Sequence, residues 1–187
     1  MGSPAALAIV AVAVAIGGSA GAATTAVNPA ADAYVRANST GTNFGGASSI
    51  NLGGRPVSNG YLRFNVSVPS GETVTKATLR LYATQNKSSG FTVHRLTDNG
   101  WGESTISYSN APAIGAQVAA SGSYARNAYV SVDVTSLVTG SGAVSLALKR
   151  SSKTVNTFNS RSLEPAAAGR GQRVGAAPHR DRGLCAG

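Results

Sequence analysis

The chain has one cysteine, Cys185, in 187 residues, so no internal disulfide can form and the fold must stand on packing alone. The same scarcity removes cysteine-based zinc sites and thiol catalysis. Acid is scarce too. Seven Asp and Glu against sixteen Lys and Arg give a formal net charge of +9, and charged residues of all kinds make up 12% of the chain. Before residue 162 the acids are Asp32, Glu72, Asp98, Glu103 and Asp133. A glycosidase needs two carboxylates facing across a site, and here Asp133 reads as support for a turn at Thr135 and Glu103 as support for its own loop. Of the two histidines, His94 has no carboxylate near it in sequence and His179 lies in the tail, which leaves a Ser-His-Asp arrangement without support. No Asp-rich loop of EF-hand type occurs; no cofactor is expected, and a metal is left open. Nor is there a nucleic-acid-binding motif, so no nucleic-acid partner is expected. The acid-poor surface suits anionic polymers, and is equally compatible with a merely soluble basic surface.

What is abundant is glycine, with 23 residues, alongside much Ser and Thr, a composition of short strands and tight turns. The central stretch is residues 59–84. Leu62, Phe64, Val66 and Val68 alternate with Tyr61, Arg63, Asn65 and Ser67; then Ala77, Leu79, Leu81 and Ala83 alternate with Thr78, Arg80, Tyr82 and Thr84. Each half is a strand with one buried face, and Pro69, Ser70 and Gly71 form the turn between them. Further strands are expected over residues 32–36, 50–52, 91–96, 117–121, 129–135, 144–148 and 155–161, with a brief helical turn near residues 133–138. About nine short strands without an amphipathic helix predict an all-β fold, an antiparallel two-sheet β-sandwich of jelly-roll-like form. Trp101, the only tryptophan, sits in an irregular connection and is expected to anchor it against the sandwich.

Both ends depart from this pattern. Residues 5–16 are an apolar run followed by small residues, Ser19-Ala20-Gly21-Ala22, which reads as a secretory signal over residues 1–22; the run is too short to span a bilayer. The expectation is a secreted, extracellular protein that does not span the membrane. No Lys or Arg precedes the run, suggesting a misplaced start codon. Residues 163–187 are mostly Ala, Gly, Arg and Pro, without alternation, and are expected to be disordered.

The order Asp32-x-Tyr34-Val35, Asn43-Phe44-Gly45, Tyr61-Leu62-Arg63-Phe64, Ala77-Thr78-Leu79-Arg80-Leu81, Trp101-Gly102-Glu103, Asn110-Ala111-Pro112, Asp133-Val134-Thr135 and Phe158-x-Ser160-Arg161 resembles the DNRLRE domain, also classed as carbohydrate-binding module family 96. The resemblance covers residues 31–161, within a module drawn at 31–162. It implies a β-sandwich of a secreted, mostly bacterial degradative or surface protein, binding polysaccharide without catalysis, with acidic polymers such as alginate among the ligands. In that family Ser-Arg is followed by Glu and a final apolar strand, whereas here Ser162 opens the Ala/Gly/Arg tail, a departure that suggests a frameshift.

The candidate binding residues are Tyr34 with Arg36, Tyr61 with Arg63, and Arg80 with Tyr82. Each pair is two residues apart and shares a strand face. Lined up on neighbouring strands they would stack sugar rings on Tyr and pair carboxylates with the planar fork of Arg. The competing account is that they are ordinary solvent-facing cross-strand pairs. The expected partner is a polysaccharide, anionic by preference, bound by a monomer. A structural or adhesive module, and a small polysaccharide lyase, are the alternatives.

Overall fold

The computed structural model describes residues 11–17, 23–150 and 153–161. Its strands, in chain order, are β1 (Ala11–Gly17), β2 (Ala23–Val27), β3 (Pro29–Arg36), β4 (Ser49–Gly53), β5 (Ser58–Val66), β6 (Thr73–Ala83), β7 (Thr92–Arg95), β8 (Gln117–Ala120), β9 (Ala128–Asp133), β10 (Gly142–Lys149) and β11 (Val155–Asn159), with a 3-10 turn at Thr135–Leu137. All strand pairings among these residues are antiparallel. The all-β antiparallel class is therefore as expected, and Asp133 does support the turn, its Oδ1 accepting from the Thr135 N–H at 2.9 Å and from the Thr135 hydroxyl at 2.7 Å. No helix among the described residues is long and apolar enough to cross a membrane.

The strands join in one continuous sheet instead of the two separate sheets of a sandwich. The order is β2-β1-β6-β11-β4-β5-β10-β7-β8, with β3 on β5 and β9 on β6. Two one-residue junctions connect its parts, Phe158 opposite Ala83 and Gly53 opposite Ser58, and the sheet curls about a common core. At the second junction Gly53 and Gly54 have φ of 74° and 85°, a backbone that side-chain-bearing residues rarely adopt.

The turn after β5 forms as expected, the Glu72 N–H donating to Pro69 O at 3.1 Å and Gly71 taking φ 82°. The strands it joins are not paired with each other, however. β5 lies between β3 and β10, and β6 has β9 on one edge and β1 on the other. The turn carries the chain across the core, so that Leu62, Phe64 and Val66 face the same interior as Ala77, Leu79 and Leu81. Facing the two apolar rows across the core buries both, which side-by-side pairing in one layer would not achieve.

A second, smaller apolar cluster lies on the opposite face of β3, β5 and β10. There Ala31, Ala33, Tyr61 and Ala147 are covered by Leu96, Trp101 and Ile106, from the connection between β7 and β8. The alanines leave room for the large rings above them. Trp101 anchors this connection, 6% exposed, its Nε1–H donating to Ser145 Oγ of β10 at 3.2 Å.

The apolar run read as a leader supplies β1, whose pairing with β2 and β6 was not foreseen. The remaining residues of the expected leader, 1–10 and 18–22, and the expected tail, 163–187, lie outside the described residues.

Candidate functional site

The six residues singled out by strand spacing do not form one array. Because β5 and β6 stand on opposite sides of the core, the row Tyr61–Arg63 and the row Arg80–Tyr82 look outward in different directions. Tyr61 is 3% exposed; its hydroxyl donates to Pro112 O at 3.2 Å, and burial, with a contribution from Tyr108, pushes its phenol up to about 12. Arg63 donates through Nη1 to Trp101 O and, at 2.8 Å, to Asn99 O, with its guanidinium carbon 5.3 Å from the Trp101 ring centre. Both residues hold the covering connection in place. Tyr34 turns into the main core, stacked on Phe44 at 4.5 Å, and Arg36 lies 5.8 Å from the Phe44 ring centre. Of the six only Arg80 is exposed; it sits 4.3 Å over Tyr129, and half-buried Tyr82 meets that ring edge-on at 5.3 Å.

The sequence motifs converge elsewhere, on a carboxylate–guanidinium node. Asp32 of β3, 1% exposed, accepts from Ser160 Oγ at 3.1 Å and from the Arg161 N–H at 2.9 Å. Arg161 extends its side chain to Glu103 through Nε at 3.0 Å and through a second contact from Nη2. Glu103 Oε1 in turn accepts the Asp32 N–H at 3.2 Å. Asn43 clamps the same loop, donating to Glu103 O and Ile106 O, both at 2.7 Å. A Cβ on Gly45 would lie 2.0 Å from Glu103 O, which is why the backbone there carries glycine. Burial drives the Asp32 carboxyl up to about 6, against the opposing Arg161 N–H, with Glu103 adding to the rise. Burial works on Glu103 too, but hydrogen bonds from Arg161 and Asp32 outweigh it and hold that carboxyl below its usual range. Two carboxylates do meet here, yet each is occupied by the strand ends it ties together. Among the described residues no group of three or more His, Cys, Asp or Glu is placed to hold a metal ion.

An open cleft of about 460 Å³ lies where the ends of β5, β7, β8 and β10 come together. Asn59, Thr92, His94, Gln117, Lys149 and Arg150 line it, with Val57 exposed at its side. Register explains the grouping. Lys149 stands opposite Thr92, and His94 is opposite both Ala147 and Gln117. Arg150 is 8% exposed; Nη2 donates to Ser89 Oγ at 2.7 Å, while Nε and Nη1 are buried without a hydrogen-bond partner, as is Asn59 Oδ1.

The family model described as Carbohydrate-binding module family 96 matches residues 23–168. The chain belongs to this family. No curated protein gives a significant match to it.

The cleft brings together polar and cationic side chains that strand spacing did not single out. No carboxylate among the described residues forms an ion pair with Arg150; the ion pairs there both belong to Arg161. Lys149 and Arg150 bring two cationic side chains to the cleft; outside it, burial, and then the neighbouring charge of Arg150, lowers the pKa of Lys87. A buried cation lacking part of its hydrogen bonds is costly. His94 is committed on both ring nitrogens, to Thr92 Oγ1 at 2.9 Å and to Gly115 O at 3.0 Å, which orients it as a wall of the cleft. Sequence reasoning passed over Lys149-Arg150 because they end a strand of Val, Leu and Ala with no aromatic nearby in sequence; the adjacent charges were the signal available.

Proposed function

We propose that this module is the secreted, non-catalytic binding part of a polysaccharide-recognising system, and that its cleft takes the carboxylate of an acidic sugar such as the uronates of alginate. The observation carrying this reading is Arg150, buried, partly unpaired and next to Lys149. The paired positive charges of Lys149 and Arg150 suit a carboxylate, and Asn59, Gln117 and Thr92 offer polar groups for sugar hydroxyls. In the cleft both ring nitrogens of His94 are engaged, which supports binding without turnover.

Affinity electrophoresis of the full chain through alginate, pectate, xylan and cellulose tests it. Alginate or pectate is expected to retard the protein, and Lys149→Gln and Arg150→Gln each to weaken retention about tenfold or more, the scale of a lost charge-assisted hydrogen bond. Equal retention by neutral xylan, or retention unchanged in both variants with melting behaviour preserved, would overturn the assignment. The Arg80–Tyr129–Tyr82 group, with Arg80 exposed and both rings half-buried, favours a second contact surface for a long polymer. Arg80→Ala and Tyr82→Ala are then expected to reduce retention by long chains while leaving short oligosaccharides bound as before.

A further inference from the structure

The edge of β6 facing β1 carries an inference that the sugar site does not. β9 occupies one edge of β6, Thr78 to Ala83 opposite Asp133 to Ala128. The other edge is shared by two strands placed end to end. β11 meets it at Phe158 opposite Ala83, and β1 covers the rest, from Ala11 opposite Arg80 to Gly17 opposite Thr73. Both run antiparallel to β6 and in the same direction as each other. A strand continuing β11 in its own register would bring residue 161 opposite Arg80 and residue 168 opposite Thr73. That is the line β1 occupies, and residue 168 is also where the family match ends.

The two stretches of sequence are unequal candidates for that line. Ala11–Gly17 reads Ala-Val-Ala-Val-Ala-Ile-Gly, whereas residues 162–168 read Ser-Leu-Glu-Pro-Ala-Ala-Ala; proline removes a ladder donor, and the stretch lacks β-branched residues. Val14 and Ile16, 1% and 3% exposed, join the main core with Ala77 and Leu79. The hydroxyls of Thr75 and Thr73 reach back to Ala15 O at 3.1 Å and Gly17 O at 3.4 Å.

We propose that the β6 edge from Thr73 to Arg80 is a strand-accepting site whose occupant is the chain's own N-terminal segment, residues 11–17, seated in the path a continuation of β11 would follow. The segment is held by backbone pairing and by the alternate burial of Val14 and Ile16, as in recognition by strand addition. It is exchangeable for another strand of the same pattern. Loss of residues 1–22 empties the site and leaves β6 with a row of unpaired donors and acceptors.

A protease site inserted within residues 18–22 of the full chain, cut after folding, tests this directly. The expected result is that the N-terminal fragment stays bound through gel filtration and protects the β6 amides from hydrogen exchange. A labelled peptide of residues 11–17 flanked by lysines is expected to displace it, and the same peptide carrying Val14→Asp and Ile16→Asp to fail. Immediate release of the fragment with unchanged melting temperature and unchanged β6 exchange would overturn the proposal, as would equal displacement by both peptides. In the uncut chain, Val14→Asp is expected to speed exchange in β6; unchanged exchange there counts against it.

Discussion

Asp32 shows how one residue type serves an unexpected end. Its folded pKa, about 6, lies above the ordinary carboxylate value near 4. A group whose proton is held more tightly in the folded state contributes stability that is complete below about pH 4 and is lost as pH rises through about 6. Replacing Asp32 with Asn removes that dependence. The melting temperature of Asp32→Asn minus that of the native chain is expected to be more positive at pH 7 than at pH 4, with the swing in stability on the order of 2–3 kcal/mol. A difference that does not change with pH would mean that folding leaves the Asp32 pKa where it is in the unfolded chain. At this scale the sequence was legible only in part. Alternation correctly placed Tyr61 and Arg63 on the face opposite Leu62, but what covers that face comes from residues 99–112, some 40 positions away, and no local pattern carries that information. Asp32, Glu103 and Arg161 stood in separate motifs for the same reason.

Among the elements, the connection between β7 and β8 has the most tertiary support for the least regular structure. It is held by Trp101 on Ser145, by Arg63 on two of its carbonyls, by Asn43 on two more and by Glu103 on Arg161. Trp101→Ala is expected to cost about 3–5 kcal/mol and to make residues 97–116 the first site of limited proteolysis. Gly45→Ala should also destabilise, by about 1–3 kcal/mol, since backbone must move to admit the new methyl group. Chemical denaturation and a timed digest measure both, and native-like stability in Trp101→Ala would show that the ring does not anchor the connection. The strands themselves were readable wherever inward and outward residues alternate, as in β5, β6, β9 and β10. β1 was not, because an apolar run of small and branched residues satisfies the pattern of a secretion leader and that of a buried strand equally well.

Charge acts over the whole molecule. With +9 spread over a chain poor in acid, a polyanion is attracted at long range whether or not it fits, and that part of the attraction is screened within about 10 Å at 0.1 M salt. Arg150, buried beside the cleft, is itself shielded from the bulk. Raising salt from about 20 to 150 mM is therefore expected to weaken alginate retention of the native chain only partly, while retention of Arg150→Gln falls to the level of a non-ligand polymer. Complete loss in the native chain at the higher salt would assign all of its retention to diffuse charge.

The place of β11 sets a timetable for folding. It is made last among the described strands, yet it lies between β4 and β6, two strands made much earlier. Until residues 155–159 leave the ribosome, the β6 side of the sheet has no ladder connecting it to the β4 side, and most contacts in the finished molecule join residues distant in sequence. Each side can pair its own strands earlier, but β11 is what joins them by a ladder. Joining the two sides through a strand made so much later than either is a non-local step, and folding is accordingly slow.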